Sequence, residues 1–259
     1  MLRFSANLSF LFQELPLRER FAAAAAAGFQ GVEYMSPYDE DANVLRSLLR
    51  GHGLSQVLFN LPAGDWTRGE RGLACLPDRV VEFRQGVATA LRYAAVLDCP
   101  RLNCLAGIAS PDVEPERARA TLIDNLRFAA SACEAAGVTL LLEPINRFDM
   151  PGYLVQRTVD ALAIIDAVGS PHLRLQYDVY HAQRTEGELA ATLRAHVGRI
   201  GHIQIADNPG RHEPGSGEIN YGWLLRHIDA LGYEGWVGCE YHPRTTTVAG
   251  LGWMRNVAP

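Results

Sequence analysis

Short apolar runs alternate along the chain with longer stretches in which apolar residues recur every three or four positions. The short runs fall at 3–9, 31–35, 55–60, 101–107, 139–145, 173–180, 201–207 and 236–241. Their length and apolar content predict strands. The periodic stretches fall at 17–29, 41–53, 79–99, 117–137, 158–169, 188–198 and 221–232. They predict amphipathic helices, several closed by a glycine (Gly28, Gly137, Gly169, Gly198, Gly232). Strands alternating with helices imply a parallel sheet, and eight strands is the number that closes a (β/α)8 barrel. No linker or low-complexity break interrupts the pattern, so a single (β/α)8 barrel over 1–259 is expected. The segments 61–77 and 207–219 are left as long loops after the third and seventh strands.

Alternation within the strands predicts which side chains face inward. Arg174, Gln176 and Asp178 share one side of their strand, opposite Leu173, Leu175 and Tyr177. His202 and Gln204 oppose Ile203 and Ile205, and Ser5 and Asn7 oppose Ala6 and Leu8. The side that meets the helices must be apolar, so the polar side is expected inside. Arg174 and Gln176 sit early in their strand and read as interior hydrogen-bonding groups. Residues late in a strand lie at the end where barrel enzymes place their chemistry.

Composition narrows the chemistry. A net charge of −5 leaves no basic surplus for nucleic acid. No apolar run is long enough to span a bilayer. The N-terminal segment has no charged lead-in or cleavage pattern, so a cytoplasmic protein is expected. The five cysteines are scattered without a C-x-x-C and read as packing thiols. All 24 basic residues are arginine. The absence of lysine excludes Schiff-base, pyridoxal-phosphate and P-loop chemistry. Proton transfer must then use Glu, Asp, His, Tyr or Cys.

Four residues near the ends of consecutive strands carry that possibility. Glu143 closes the fifth, Asp178 the sixth, Gln204 lies late in the seventh, and Glu240 closes the eighth. Each alone also reads as a cap or an interior hydrogen-bonding residue. Together they bring three acids and an amide to one rim. Three unshielded carboxylates would repel one another. A hard divalent cation, Mg2+ or Mn2+, relieves this with oxygen ligands. His181, three residues after Asp178, is placed to contact a substrate oxygen. Arg211, beside His212 on the loop after the seventh strand, is placed to hold a substrate carboxylate, although both also fit a solvated loop. Asn7, Asn60 and Asn103 are expected near the pocket, Trp66 and its loop over it, and Glu213 and Glu218 at the surface.

The segments "LLEPIN", "QYDVYHAQRTEGEL", "GHIQIADNPGRHEPGSGEINY" and "GWVGCEYHPR" resemble the hydroxypyruvate isomerase family, within the xylose-isomerase-like barrels. The likeness runs from "RFSANLSFLF" to "GLGW", nearly the whole chain. It implies that Glu143 and Glu240 are the acid–base pair. It further implies that both bind the metal with Asp178 and Gln204. Related ketose 3-epimerases usually carry histidine where Gln204 stands, which argues against an epimerase. Two branches are similar. One interconverts hydroxypyruvate and tartronate semialdehyde; the other isomerises 2-oxo-tetronates, one carbon longer. "RFDMPGY" and "ADNPGRHEPGSGEIN" look somewhat more like the second.

The activity expected is metal-dependent aldose–ketose isomerisation of a small hydroxy-oxo acid, of the hydroxypyruvate type, with 2-oxo-tetronate isomerisation as the alternative. A non-catalytic barrel that binds a metal or sugar acid is the alternative of another class. Phosphoester cleavage would need more histidines and a basic surface. A glycosidase built on Glu143 and Glu240 would survive chelation. Neither nucleic acid nor membrane is expected as a partner, whereas self-association is compatible with the sequence.

Overall fold

The computed structural model describes residues 1–256. Eight strands form the barrel: β1 (Arg3–Asn7), β2 (Gly31–Tyr34), β3 (Ser55–Asn60), β4 (Arg101–Cys104), β5 (Thr139–Leu142), β6 (Leu173–Asp178), β7 (Ile200–Ile205) and β8 (Trp236–Cys239). Around them run α1 (Leu17–Ala26), α2 (Ala42–Gly51), α3 (Val80–Leu97), α4 (Pro115–Ala135), α5 (Thr158–Val168), α6 (Val179–Thr185), α7 (Leu189–His196), α8 (Tyr221–Ala230) and α9 (Thr247–Gly250). The strands pair in chain order, all parallel, and β8 closes on β1. None of the helices among the described residues is long and apolar enough to cross a membrane.

Two apolar regions hold the barrel. The outer one lies between strands and helices, where Leu102, Leu140, Leu142, Ile203 and Ile205 pack with helix residues such as Phe83, Leu122 and Leu225. Each such side chain contributes about 1.5–3 kcal/mol on full burial. The inner one is a small plug of Val57, Leu58 and Leu141 against Trp236. Gly31 makes room for it, because a Cβ there would lie 2.7 Å from Val57 and 2.9 Å from Trp236. Elsewhere the interior is polar and buried, with Ser5, Glu33, Gln176, His202 and Gln204.

The strands are shorter than their apolar runs. β4 and β5 stop at Cys104 and Leu142 because the chain beyond bonds to loops: Cys75 N–H donates to Ala106 O, and Ile145 N–H to Val155 O. The run 173–180 divides at Asp178. Its carboxylate accepts the Tyr180 N–H at 2.8 Å, which caps α6, a helix absent from the periodicity reading. The loop after β3 contains a 3-10 turn at Trp66–Arg68 and is pinned at Gly72. There φ is +116°, and a Cβ would lie 2.4 Å from Leu105 O. The loop after β7 folds around Asp207. This buried carboxylate accepts four backbone N–H groups, from Asn208 (2.9 Å), Gly215 (2.8 Å), Gly217 (2.9 Å) and Ile219 (3.1 Å).

Candidate active site

A cavity of about 280 Å3 opens at the C-terminal end of the strands. Glu143 and Glu240 line it from the first positions after β5 and β8, with His181 and Arg211 beside them. Asp178, the last residue of β6, reaches the same cluster from below through Arg211 and His181. A larger cavity, about 580 Å3, lies around Arg101 and Arg174 at the opposite end. It contains no buried acid, and chemistry in this architecture sits at the other mouth.

Glu143 is held on one oxygen, whereas Asp178 and Glu240 are held on both, each sharing one oxygen with Arg211. Glu143 Oε2 accepts from Asn103 Nδ2 at 2.9 Å, and Asn103 also donates to Asn60. Asp178 Oδ1 is the α6 cap, while Oδ2 accepts from Arg211 at 3.2 Å. Glu240 Oε2 accepts from Asn7 at 2.8 Å and Gln204 Nε2 at 2.5 Å, and Oε1 accepts from Arg211 at 2.5 Å. Burial pushes all three acids above the ordinary carboxylate range. Glu143 reaches about 8, with the Asp178 charge adding to desolvation and Arg211 opposing it.

Arg211 is the cation that these acids share. Its guanidinium also lies over the rings of Phe10 (4.8 Å) and Tyr180 (5.1 Å). Its backbone is left-handed, φ +55°, a conformation uncommon outside glycine and most often tolerated at functional sites.

The hydrogen-bond network sets the tautomer of His181. Asn146 Oδ1 accepts from the Phe148 and Asp149 N–H groups, both at 3.0 Å, which fixes its amide. The amide nitrogen then faces His181 Nδ1 at 2.6 Å and donates to it. The proton of neutral His181 therefore sits on Nε2, 3.6 Å from Asp178 and 4.0 Å from Glu143. Burial, helped by Arg211 and Arg184, holds this imidazole well below its ordinary pKa, so it stays neutral. Glu143, Asp178 and His181 place one ligand atom each within 4.8 Å of one another, a spacing that can hold a divalent ion.

Gln204 stands partly apart. Its nitrogen donates to Glu33 and Glu240, and its oxygen accepts from Gln176 Nε2 at 2.7 Å. Glu33 is the site residue that sequence reasoning passed over. It is fully buried on β2 beneath the acids, and accepts from Ser5, Asn7, His202 and Gln204. Burial alone would raise its pKa; the His202 imidazole and the other donors more than offset that and hold it below the ordinary range. The strand alternation used for β1, β6 and β7 puts Glu33 inside as well, opposite Val32 and Tyr34.

Asn60 and Trp66 line the cavity as expected. His212 does not; its Nδ1 faces the His242 carbonyl. Glu218 is exposed, and Glu213 accepts the Arg244 N–H.

Comparison with known proteins places this geometry. A model of the family described as "xylose isomerase-like TIM barrel" matches residues 21–257. The chain is 54% identical to the hydroxypyruvate isomerase of Escherichia coli (strain K12), over 98% of both chains. It is 51% identical to a 2-oxo-tetronate isomerase of Cupriavidus necator, again over 98% of both. The chain belongs to the hydroxypyruvate isomerase family. It is an isomerase on the xylose isomerase-like barrel. A crystal structure from Brucella melitensis titled as an AP endonuclease of family 2 superposes with a TM-score of 0.97 at 45% identity, covering 100% of both chains. The D-psicose 3-epimerase of Clostridium cellulolyticum H10, 19% identical, shares the fold with a TM-score of 0.75.

Proposed function

We propose that this isomerase interconverts the ketose and aldose forms of a small hydroxy-oxo acid, hydroxypyruvate and tartronate semialdehyde, with the four-carbon 2-oxo-tetronates as the second candidate. The observation that carries the reading is the pairing of Glu143 and Glu240 across one small cavity. Glu143 is buried and Glu240 partly so, and both are drawn toward the protonated state, so each can accept a carbon-bound proton and release it again. The names of relatives over 50% identical support the substrate class.

In this reading one glutamate removes a proton from the hydroxymethyl carbon. The electrons form an enediolate. The second glutamate, or the first acting on the same face, returns a proton to the neighbouring carbon, while a hydroxyl proton moves between the two oxygens. His181, with its proton on Nε2, donates to a substrate oxygen. Asn103 and Asn7 hold the two glutamates in place through the oxygens that face away from the reaction.

The donor set fits a divalent Mg2+ or Mn2+: three acids, two of them buried, stand against one arginine, and their raised proton affinity is an unmet demand for positive charge. Glu143, Asp178, Gln204 and Glu240 would hold it. Such a cation supplies Lewis-acid stabilisation of the enediolate charge. His181 is the poorer fourth ligand, because a free Nε2 would require Asn146 to turn over and abandon two backbone donors. The Glu33 and Glu240 contacts commit the Gln204 nitrogen, so only its oxygen, which accepts from Gln176 and keeps a second lone pair, could meet a cation. Phosphoester cleavage fits less well. The one metal-spaced group among the described residues has a single histidine, and the net charge is −5.

The test is NMR of hydroxypyruvate and both 2-oxo-tetronate enantiomers with metal-loaded protein in D2O. Glu143→Gln and Glu240→Gln should each lower turnover by about 10²–10⁴-fold while metal still binds. Wild-type deuterium incorporation in both variants would remove the glutamates from proton transfer.

A further inference from the structure

Four side chains able to carry positive charge line the cavity: Arg71, His181, Arg211 and His242. An oxo acid brings a carboxylate that one of them must meet. His181 is neutral, and burial also lowers the His242 pKa. Arg211 is already engaged by Asp178 and Glu240. Arg71 differs from all three. It makes no ion pair among the described residues, because its neighbour Glu70 turns to Arg79 (2.8 Å) and to the Asp65 N–H (2.7 Å).

Arg71 is nevertheless held in place. Its NH1 donates to Trp66 O at 3.2 Å and Glu70 O at 2.8 Å, and its guanidinium lies 4.2 Å from the Trp66 ring centroid. The next residue, Gly72, donates its N–H to Ala63 O at 2.9 Å and packs too closely on Leu105 to admit a Cβ. With NH1 tied to two carbonyls, the Nε–NH2 edge remains. That edge is the fork that matches a carboxylate with two parallel hydrogen bonds. The contact with the Trp66 ring and the two NH1 hydrogen bonds hold the fork in advance.

We propose that Arg71 binds the substrate carboxylate and thereby selects oxo acids over neutral ketoses. The proposal rests on the isomerase reading above and extends it to the part of the substrate that does not react. A carboxylate fixed at Arg71, on the loop after β3, leaves the adjacent carbons for Glu143 and Glu240 on the far strands.

The experiment uses Arg71→Met and Arg71→Lys with two kinds of ligand. Pyruvate keeps the oxo acid but lacks the hydroxyl needed for isomerisation, so its binding to metal-loaded protein is measured by calorimetry. Hydroxypyruvate and dihydroxyacetone are compared as charged and neutral substrates. Arg71→Met should weaken pyruvate, and raise KM for hydroxypyruvate, by about 10- to 100-fold, the loss of two charge-assisted hydrogen bonds. Turnover of dihydroxyacetone and metal affinity should stay within about twofold of wild type, as removal of a uniform binding contact requires. Arg71→Lys, which keeps the charge without the fork, should fall between and guards against a folding defect. Unchanged pyruvate affinity in Arg71→Met overturns the proposal, as does an equal loss on both substrates. Wild-type protein that fails to bind pyruvate also overturns it. Wild-type protein that binds pyruvate through Arg71 but leaves hydroxypyruvate unchanged would sink the isomerase reading and leave the carboxylate site standing.

Discussion

Glu33→Gln is expected to destabilise the protein and loosen the proposed metal site at once. The Glu33 carboxylate accepts four hydrogen bonds: Ser5 (2.7 Å) and His202 (2.9 Å) on Oε2, Gln204 (2.9 Å) and Asn7 (3.2 Å) on Oε1. Glutamine has the same shape but only one acceptor oxygen. If its nitrogen replaces Oε1, the amides of Asn7 and Gln204 must both turn over. If it replaces Oε2, the Ser5 hydroxyl rotates to accept, and His202 moves its proton to Nδ1, which has no partner. The second arrangement costs less because no donor is left facing another. It still exchanges four charge-assisted hydrogen bonds for neutral ones. At about 0.5–1 kcal/mol each, the loss is roughly 2–4 kcal/mol. For a protein of this size that lowers Tm by roughly 5–15 °C. Because Glu33 also orients Gln204, affinity for Mn2+ should fall by about 10- to 100-fold, as for other groups that support a ligand. Urea unfolding and calorimetric metal titration measure the two effects separately. A variant with the wild-type urea midpoint and wild-type Mn2+ affinity would refute the reasoning.

Asp178→Asn keeps a good cap for α6, so stability should change by less than about 1 kcal/mol, while metal affinity drops by at least about tenfold; a metal titration beside a melting curve checks both. Asp207→Ala takes the acceptor from four backbone N–H groups, that of Ile219 buried, and should cost about 3 kcal/mol or more. Its signature is a lower denaturant midpoint and faster proteolysis within 207–219. Metal-free protein should lose stability as pH rises from about 6.5 to 8. There folded Glu143, pushed up to about 8, holds a proton that the unfolded chain has released, and Glu240, raised well above the ordinary range, acts in the same sense. Below about 6.5 the depressed His181 acts oppositely, contributing stability that is lost as pH falls. Stability of the metal-free wild type that is flat or rising across that window, or a slope unchanged in Glu143→Gln, would contradict the assignment.

The barrel was legible because alternating periodicities are written over the whole chain and admit few architectures. The positions of Glu143, Asp178 and Glu240 were legible for the same reason, since each marks the end of a strand. Glu33 was missed although the alternation that exposes Gln204 applies equally to β2. A lone acid in a run of four residues carries no sign of its depth, and its partners come from β1 and β7, distant in sequence. α6 was hidden because Asp178 serves two elements at once, as the last strand residue and the cap. The tautomer of His181 depends on Asn146, 35 residues earlier, through a loop whose turns have no periodicity to read. Arg71 could not be separated from the other arginines by sequence, because what distinguishes it is that the acids around it pair elsewhere in the fold, as Glu70 does with Arg79.

Gly238 faces Glu33 so closely that a Cβ on it would sit 2.3 Å and 2.5 Å from the two carboxylate oxygens. No single substitution at 238 is open while Glu33 remains, and removing Glu33 first strands the donors around it. The two positions can therefore drift only together, through an intermediate that is worse than either end. Descendants of this sequence should keep or exchange the pair as a unit, and a laboratory lineage selected only for stability should leave 238 untouched long after its neighbours have changed.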